Sequence, residues 1–334
     1  MRTYMKRALS IIVAAACLIA GGVAAFANAN TARQNALNFI RNNVPAPTVS
    51  SVGGEWAVLA LARGGVNVPA GYYDAYINRV RDVLRRNNGN LPGMRTEFAR
   101  VVLALTALGV DVTNIDGHNL IAPLEDFSAV TTQGTNGAIF ALLALDSNGW
   151  GNMEIRQQYI NFLVGREIAG GGFALGANPT IPAADVTGMA LTALAPYAAQ
   201  TSVASVITRG LAVLENITLP TAEHAAWAVI ARQRHGASVD ATLAALLPLQ
   251  QPDGSFRHTA QGGGNVQMAT EQAALALIAL NIDLFDMSDV PIRDLPELPP
   301  PPPRPNFGQG LWAFIVLVFN LIVEFFTILG GLFS

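Results

Sequence analysis

Eight polar residues stand at the entry to strongly apolar stretches: Glu55, Glu97, Asn136, Asp185, Glu223 with His224, and Glu271 with Gln272. A carboxylate so placed can act as a general acid, or can accept hydrogen bonds from the polar part of a ligand whose body lies among apolar residues. It can equally complement the positive end of a helix, an effect of about 0.3–1 kcal/mol per acid that needs no ligand. Asp185 poses the choice most sharply, because in PAADVTGMALTALAPY (182–197) it is the one carboxylate before an apolar helix. Trp56 beside Glu55, Phe98 beside Glu97 and Trp227 one turn after Glu223 are the candidates for an apolar lining. Thr187, two residues after Asp185, joins them as a polar contact.

Other chemistries find fewer residues. The single cysteine, Cys17, lies in an N-terminal leader, so a chain that loses the leader has no thiol nucleophile, disulfide or cysteine-ligated zinc. His118, His224, His235 and His258 fall in different parts of the chain without a close ligand pair, and no metal is expected. GGGF (170–173) and QGGGN (261–265) follow no strand and carry no Lys-Ser/Thr pair, so they read as turns rather than phosphate loops. A net charge of −3, with Lys6 the only lysine, gives no electrostatic footprint for nucleic acid.

The two ends speak to location. Arg2, Lys6 and Arg7 precede an apolar run to about Ala25 and small-residue sites at Ala25-Phe26-Ala27 and Ala27-Asn28-Ala29, the three-part layout of a signal peptide over 1–29. At the other end LPELPPPPPRP, within a proline-rich linker over 291–309, should extend as a stiff polyproline spacer. The hydrophobic segment 310–334 behind it is long enough to span a bilayer. Asn320, Glu324, Thr327 and Gly331 share one face of that helix, so it either packs on another helix or lies in the interface. Both ends together predict an exported protein held at the outer face of the cell membrane.

Between the ends the chain repeats. Six apolar cores begin at Leu59, Leu103, Phe140, Leu191, Trp227 and Leu275, on average about 43 residues apart, which accommodates two helices and two turns. More polar segments such as 72–86, 153–167 and 202–216 alternate with them and read as amphipathic surface helices. The cores are apolar nearly all round, which demands burial on every side. An all-α architecture of six inner helices within six outer ones, an α6/α6 toroid over 30–290, meets both demands. An open superhelix of helical hairpins would leave one side of the apolar set wet. A second repeat sits in the turns: R-x-x-x-G-x-L at Arg85, E-x-x-x-G-x-F at Glu167 and Q-x-x-x-G-x-F at Gln250. Glycines 89, 171 and 254 permit the positive φ that ends a helix, and the bulky residue two positions on can pack back.

QQPDGSF (250–256) resembles the Q-x-x-x-G-x-aromatic motif of the squalene cyclase and prenyltransferase repeat family. SSVGGEWAVLALARGG, NGAIFALLALDS, GGGFALG, DVTGMALTALAPY and QMATEQAALAL resemble its exported bacterial branch, whose fold is similar to transcobalamin and intrinsic factor. The resemblance spans about 34–285 and implies a toroid with a ligand cavity at the inner helix ends; this fold hosts cyclases, prenyltransferases, cobalamin carriers and non-catalytic modules. Against the D-x-D-D-T-A acid motif of class II terpene cyclases, residues 183–188, placed by Thr187, read Ala, Ala, Asp, Val, Thr, Gly, so of the three acids only the donor position, Asp185, survives. Aromatic residues are also few for a chamber that must stabilise carbocations. A prenyltransferase zinc site lacks its cysteine, and Thr270-Glu271-Gln272 lacks the cysteine of a thioester domain.

The sequence therefore points to a non-catalytic binding module for a hydrophobic or corrinoid-like guest, cobalamin among them, or for a protein at the cell surface. Glu55, Trp56, Glu97, Phe98, Asn136, Asp185, Thr187, Trp227, Glu271 and Gln272 form its site. A cyclase-like or glycan-active enzyme using Asp185 as acid is the alternative.

Overall fold

The six apolar cores each become one helix. In the computed structural model, which describes residues 28–50 and 52–296, these are α2 (Glu55–Arg63), α4 (Arg95–Ala107), α7 (Gly134–Asp146), α9 (Ala184–Leu194), α11 (Ala222–Arg234) and α13 (Val266–Ala279). Burial on all sides is plain in α7, where Gly137 and every residue from Ala138 to Leu145 are buried. The alternating helices are α1 (28–43), α3 (Tyr72–Arg86), α8 (Met153–Gly165), α10 (Thr201–Asn216) and the shorter α12 (Asp240–Leu246). Between α4 and α7 the chain forms two short pieces, α5 (Ala122–Glu125) and α6 (Phe127–Thr131), because the Asp126 carboxylate takes the Ala129 N–H and starts a new helix. Among the described residues there is no strand, only isolated bridges at Ile115–His118 and Gln250–Phe256. The protein is all-α.

Contacts between the six apolar helices run in chain order, α2 with α4, α4 with α7, α7 with α9, α9 with α11 and α11 with α13. They then return to the start, since α13 packs on α2. Helix backbones approach closely where glycine permits: a Cβ on Gly188 of α9 would lie 2.5 Å from the Trp227 carbonyl oxygen of α11.

The repeated turns join the outer helices. Gly89, Gly171 and Gly254 have φ of 83°, 110° and 91°, and Leu91, Phe173 and Phe256 are buried. Two copies share a further bond, the Phe173 N–H to Thr187 Oγ1 (2.9 Å) and the Phe256 N–H to Thr270 Oγ1 (2.8 Å). The last copy seats on α1: Gln250 Nε2 donates to the Ala32 carbonyl at 2.8 Å, and a Cβ on Gly254 would lie 2.5 Å from the Asn35 oxygen. Segments 218 residues apart in sequence meet there.

Residues 281–294 cross the C-terminal ends of the apolar helices as a strap. Arg63, closing α2, donates to the Asp283 and Asp286 carbonyls, and Arg234, closing α11, pairs with Asp283 at 2.7 Å. The Met287 N–H bonds the Ser147 carbonyl just past α7, and the Arg293 N–H bonds the Gly109 carbonyl just past α4. Arg293 also pairs with Asp74. The first compact unit runs to Asp294, and of the second unit, Leu295–Ser334, only Leu295 and Pro296 are described. Among the described residues no helix is long and apolar enough to cross a membrane. The signal expected at 1–29, apart from residues 28 and 29, and the apolar segment expected at 310–334 lie outside the described residues.

Candidate functional site

The starts of the apolar helices are tied to one another. Thr96 of α4 and Gln133 before α7 exchange two 3.0 Å bonds, Thr96 N–H to Gln133 Oε1 and Gln133 Nε2 to Thr96 Oγ1. Asp185 of α9 lies 3.7 Å from His224 Nε2 of α11. Trp227 Nε1 of α11 donates to Gln272 Oε1 of α13 at 2.9 Å, and the Gly53 N–H, just before α2, donates to Glu271 of α13 at 3.0 Å. The N-terminal ends of α4 and α7 are thus joined to each other, and those of α9, α11, α13 and α2 in a second series.

Trp56, Phe140 and Trp227 meet with ring centroids 5.7–6.3 Å apart, in tilted or edge-on contact. They come from α2, α7 and α11, none of which neighbours another in the contact cycle. Aromatic side chains therefore take the space between alternate helices. Phe285 of the strap stacks under Trp227 at 6.0 Å. Trp56 is half-buried and the other three are buried.

The polar residues divide by environment. Glu97 is half-buried, accepts from the Met94 N–H at 2.8 Å in a capping box, and pairs with Arg100 at 3.2 Å. Phe98 is buried and Arg95 lies over a Phe98 face. Asn136 and Gln272 are half-buried. Asp185 is half-buried and takes its own helix's Val186 N–H. Thr187 faces away from the others: it is buried against the Phe173 backbone of the turn. His224 Nδ1 lies 2.6 Å from Thr221 Oγ1, the N-cap of α11, while Glu223 pairs with His258 at 2.8 Å. These are the bonds of helix starts. Among the described residues no three His, Cys, Asp or Glu side chains gather as a metal ion requires.

Glu55 and Glu271 differ from the rest, with exposures of 1% and 0%. Glu55 Oε1 accepts from the Ser50 N–H (2.8 Å) and from Tyr76 Oη (3.2 Å). Glu271 Oε1 accepts from the Gly53 N–H and from Gln267 Nε2 (2.9 Å). In both residues Oε2 is buried without a partner. Burial raises both acids, Glu271 to about 7; hydrogen bonds from Gln267 and Gly53 oppose the rise, the Glu55 charge adds to it, and Arg100 opposes it.

Sequence reasoning named Glu55, Trp56, Trp227 and Glu271 but not the residues that complete their surroundings. Tyr72 and Tyr76 stand four apart on a polar helix, and Arg100 stands three after Glu97, spacings that were readable. Phe285 carried no such signal, lying beyond the last helix.

No protein-family model and no curated protein matches the chain.

Proposed function

We propose that the chain is an α6/α6 toroid and a non-catalytic binding module, recognising a surface partner on the face formed by the starts of its six inner helices. The closed order of helix contacts supports the toroid, and the positive-φ turn glycines with the Gln250 bond to α1 accord with the repeat-family resemblance. The observation that carries the recognition face is its rim. Of eight exposed large apolar side chains among the described residues, four lie at the entries to these helices, Val52, Met94, Ile181 and Val266. Exposed apolar groups gathered on one face mark a docking surface. Within the rim stand Glu97, Asp185 and Glu223, so the matching surface combines apolar side chains with cationic or donor groups.

The aromatic contact of Trp56, Phe140 and Trp227 favours a partner that covers the mouth over a corrinoid or hydrophobic guest that descends into it. Asp185 serves as a first-turn residue and not as an acid. The leader and apolar tail read from the sequence would export the module and tether it to the membrane.

Photo-crosslinking in cells tests the reading. A photoreactive residue at Met94 or Ile181 should yield a discrete adduct that one at Met153, on α8, does not. Equal labelling at all three, or cobalamin binding unaffected by a Met94→Asp/Ile181→Asp pair, would overturn it.

A further inference from the structure

Residues 44–54, between α1 and α2, lie beside the seam where the last apolar helix meets the first. Bonds from neighbouring elements hold them, among them Tyr72 Oη to the Val44 carbonyl (2.8 Å), Arg79 to the Pro47 carbonyl (2.6 Å), the Ser50 N–H to Glu55 and the Gly53 N–H to Glu271. The last two end on the buried carboxylates, Glu55 from α2 and Glu271 from α13. Each carboxylate satisfies Oε1 twice and leaves Oε2 buried and unpartnered. An unsatisfied carboxylate oxygen away from water is costly, and two charged ones acting on each other cost more. One added proton removes one of the charges.

We propose that Glu55 and Glu271 form a buried proton-binding pair, one member of which stays protonated and thereby keeps the α13–α2 seam and residues 44–50 and 52–54 in place. The charged and titratable groups acting on the pair are Arg100 from α4 and Tyr76 and Tyr72 from α3; Tyr76 donates to Glu55 and stays neutral, burial raising it far beyond physiological pH. Arg100 shares its charge with Glu97 at 3.2 Å, so it does not neutralise both acids. The upward displacement of both acids by burial agrees with the geometry. Loss of the proton leaves two like charges buried at the seam, and the segment loosens. A groove of about 400 Å³ lined by Thr48, Val52, Gly53 and Gln267 adjoins it, so release would enlarge an existing opening.

The test is hydrogen exchange of the full chain at pH 5.5 and 8.5, corrected for the intrinsic pH dependence of exchange. Protection of Ser50 and Gly53 should fall at least tenfold at the higher pH. Glu271→Gln, whose amide supplies a permanent donor, should keep protection at pH 8.5, and Glu55→Gln should do the same if the first variant folds poorly. Side-chain 13C resonances should show one glutamate titrating near neutrality and shifted by either substitution. Wild-type protection independent of pH, unchanged pH dependence in the glutamine variants, or control by sodium or divalent ions in place of pH would overturn the proposal.

Discussion

At the scale of single residues, identical side chains at equivalent helix starts do different work because water reaches them differently. Glu97, Asp185 and Glu223 keep contact with solvent and bond to nearby N–H, guanidinium or imidazole groups. Glu55 and Glu271 are sealed off. A carboxyl whose folded value is raised binds its proton more tightly in the folded state, so its contribution is present below the unfolded value of about 4.5 and is lost as pH rises toward 7. Thermal stability should therefore fall between those limits and level off above them, by on the order of 3 kcal/mol from Glu271 alone at 1.36 kcal/mol per unit. In Glu271→Gln melting curves the Glu271 share of that slope should be lost, leaving a shallower profile; a wild-type profile flat across this range contradicts the assignment. The sequence revealed which residues stand at helix starts, since composition changes sharply there. It could not separate the sealed acids from the wet ones, because much of the cover comes from Ser50 and Gly53 before α2 and from Tyr76 on α3.

At the scale of elements, the turns and the strap decide how the helices join. Gly254 needs both a positive φ and the absence of a Cβ, whereas Gly262 needs only the former, with nothing within 4 Å. Gly254→Ala should cost roughly 2 kcal/mol or more and Gly262→Ala about 1 kcal/mol, read from chemical denaturation. Equal losses would mean that the close seat on α1 adds nothing. Phe285 is buried under Trp227, so Phe285→Ala should cost about 3–5 kcal/mol and perturb tryptophan fluorescence. The six apolar helices and the long amphipathic ones were legible because two-sided burial and one-sided burial leave different residue patterns. The break between α5 and α6 and the strap were not, because short capped turns and extended crossings carry no periodicity.

At the scale of the whole molecule, what matters is whether the row of helices closes. A closed ring has no terminal repeat, while an open superhelix frays from both ends because each end unit lacks a neighbour. Closure would also bring six helix starts onto a single face, on which the recognition proposal and the proton site both depend. Sequence periodicity supplied the number of units and the need for burial. Closure was expected from that need for burial, but periodicity did not name the residues of the α13–α2 contact, which joins segments over 200 residues apart. Native-state hydrogen exchange of the full chain at pH 5.5 measures this most directly. The closed arrangement predicts that amides of α2 and α13 are as strongly protected as those of α7 and α9 and open with them as one unit. Protection that declines stepwise from α7 and α9 toward α2 and α13 would contradict it.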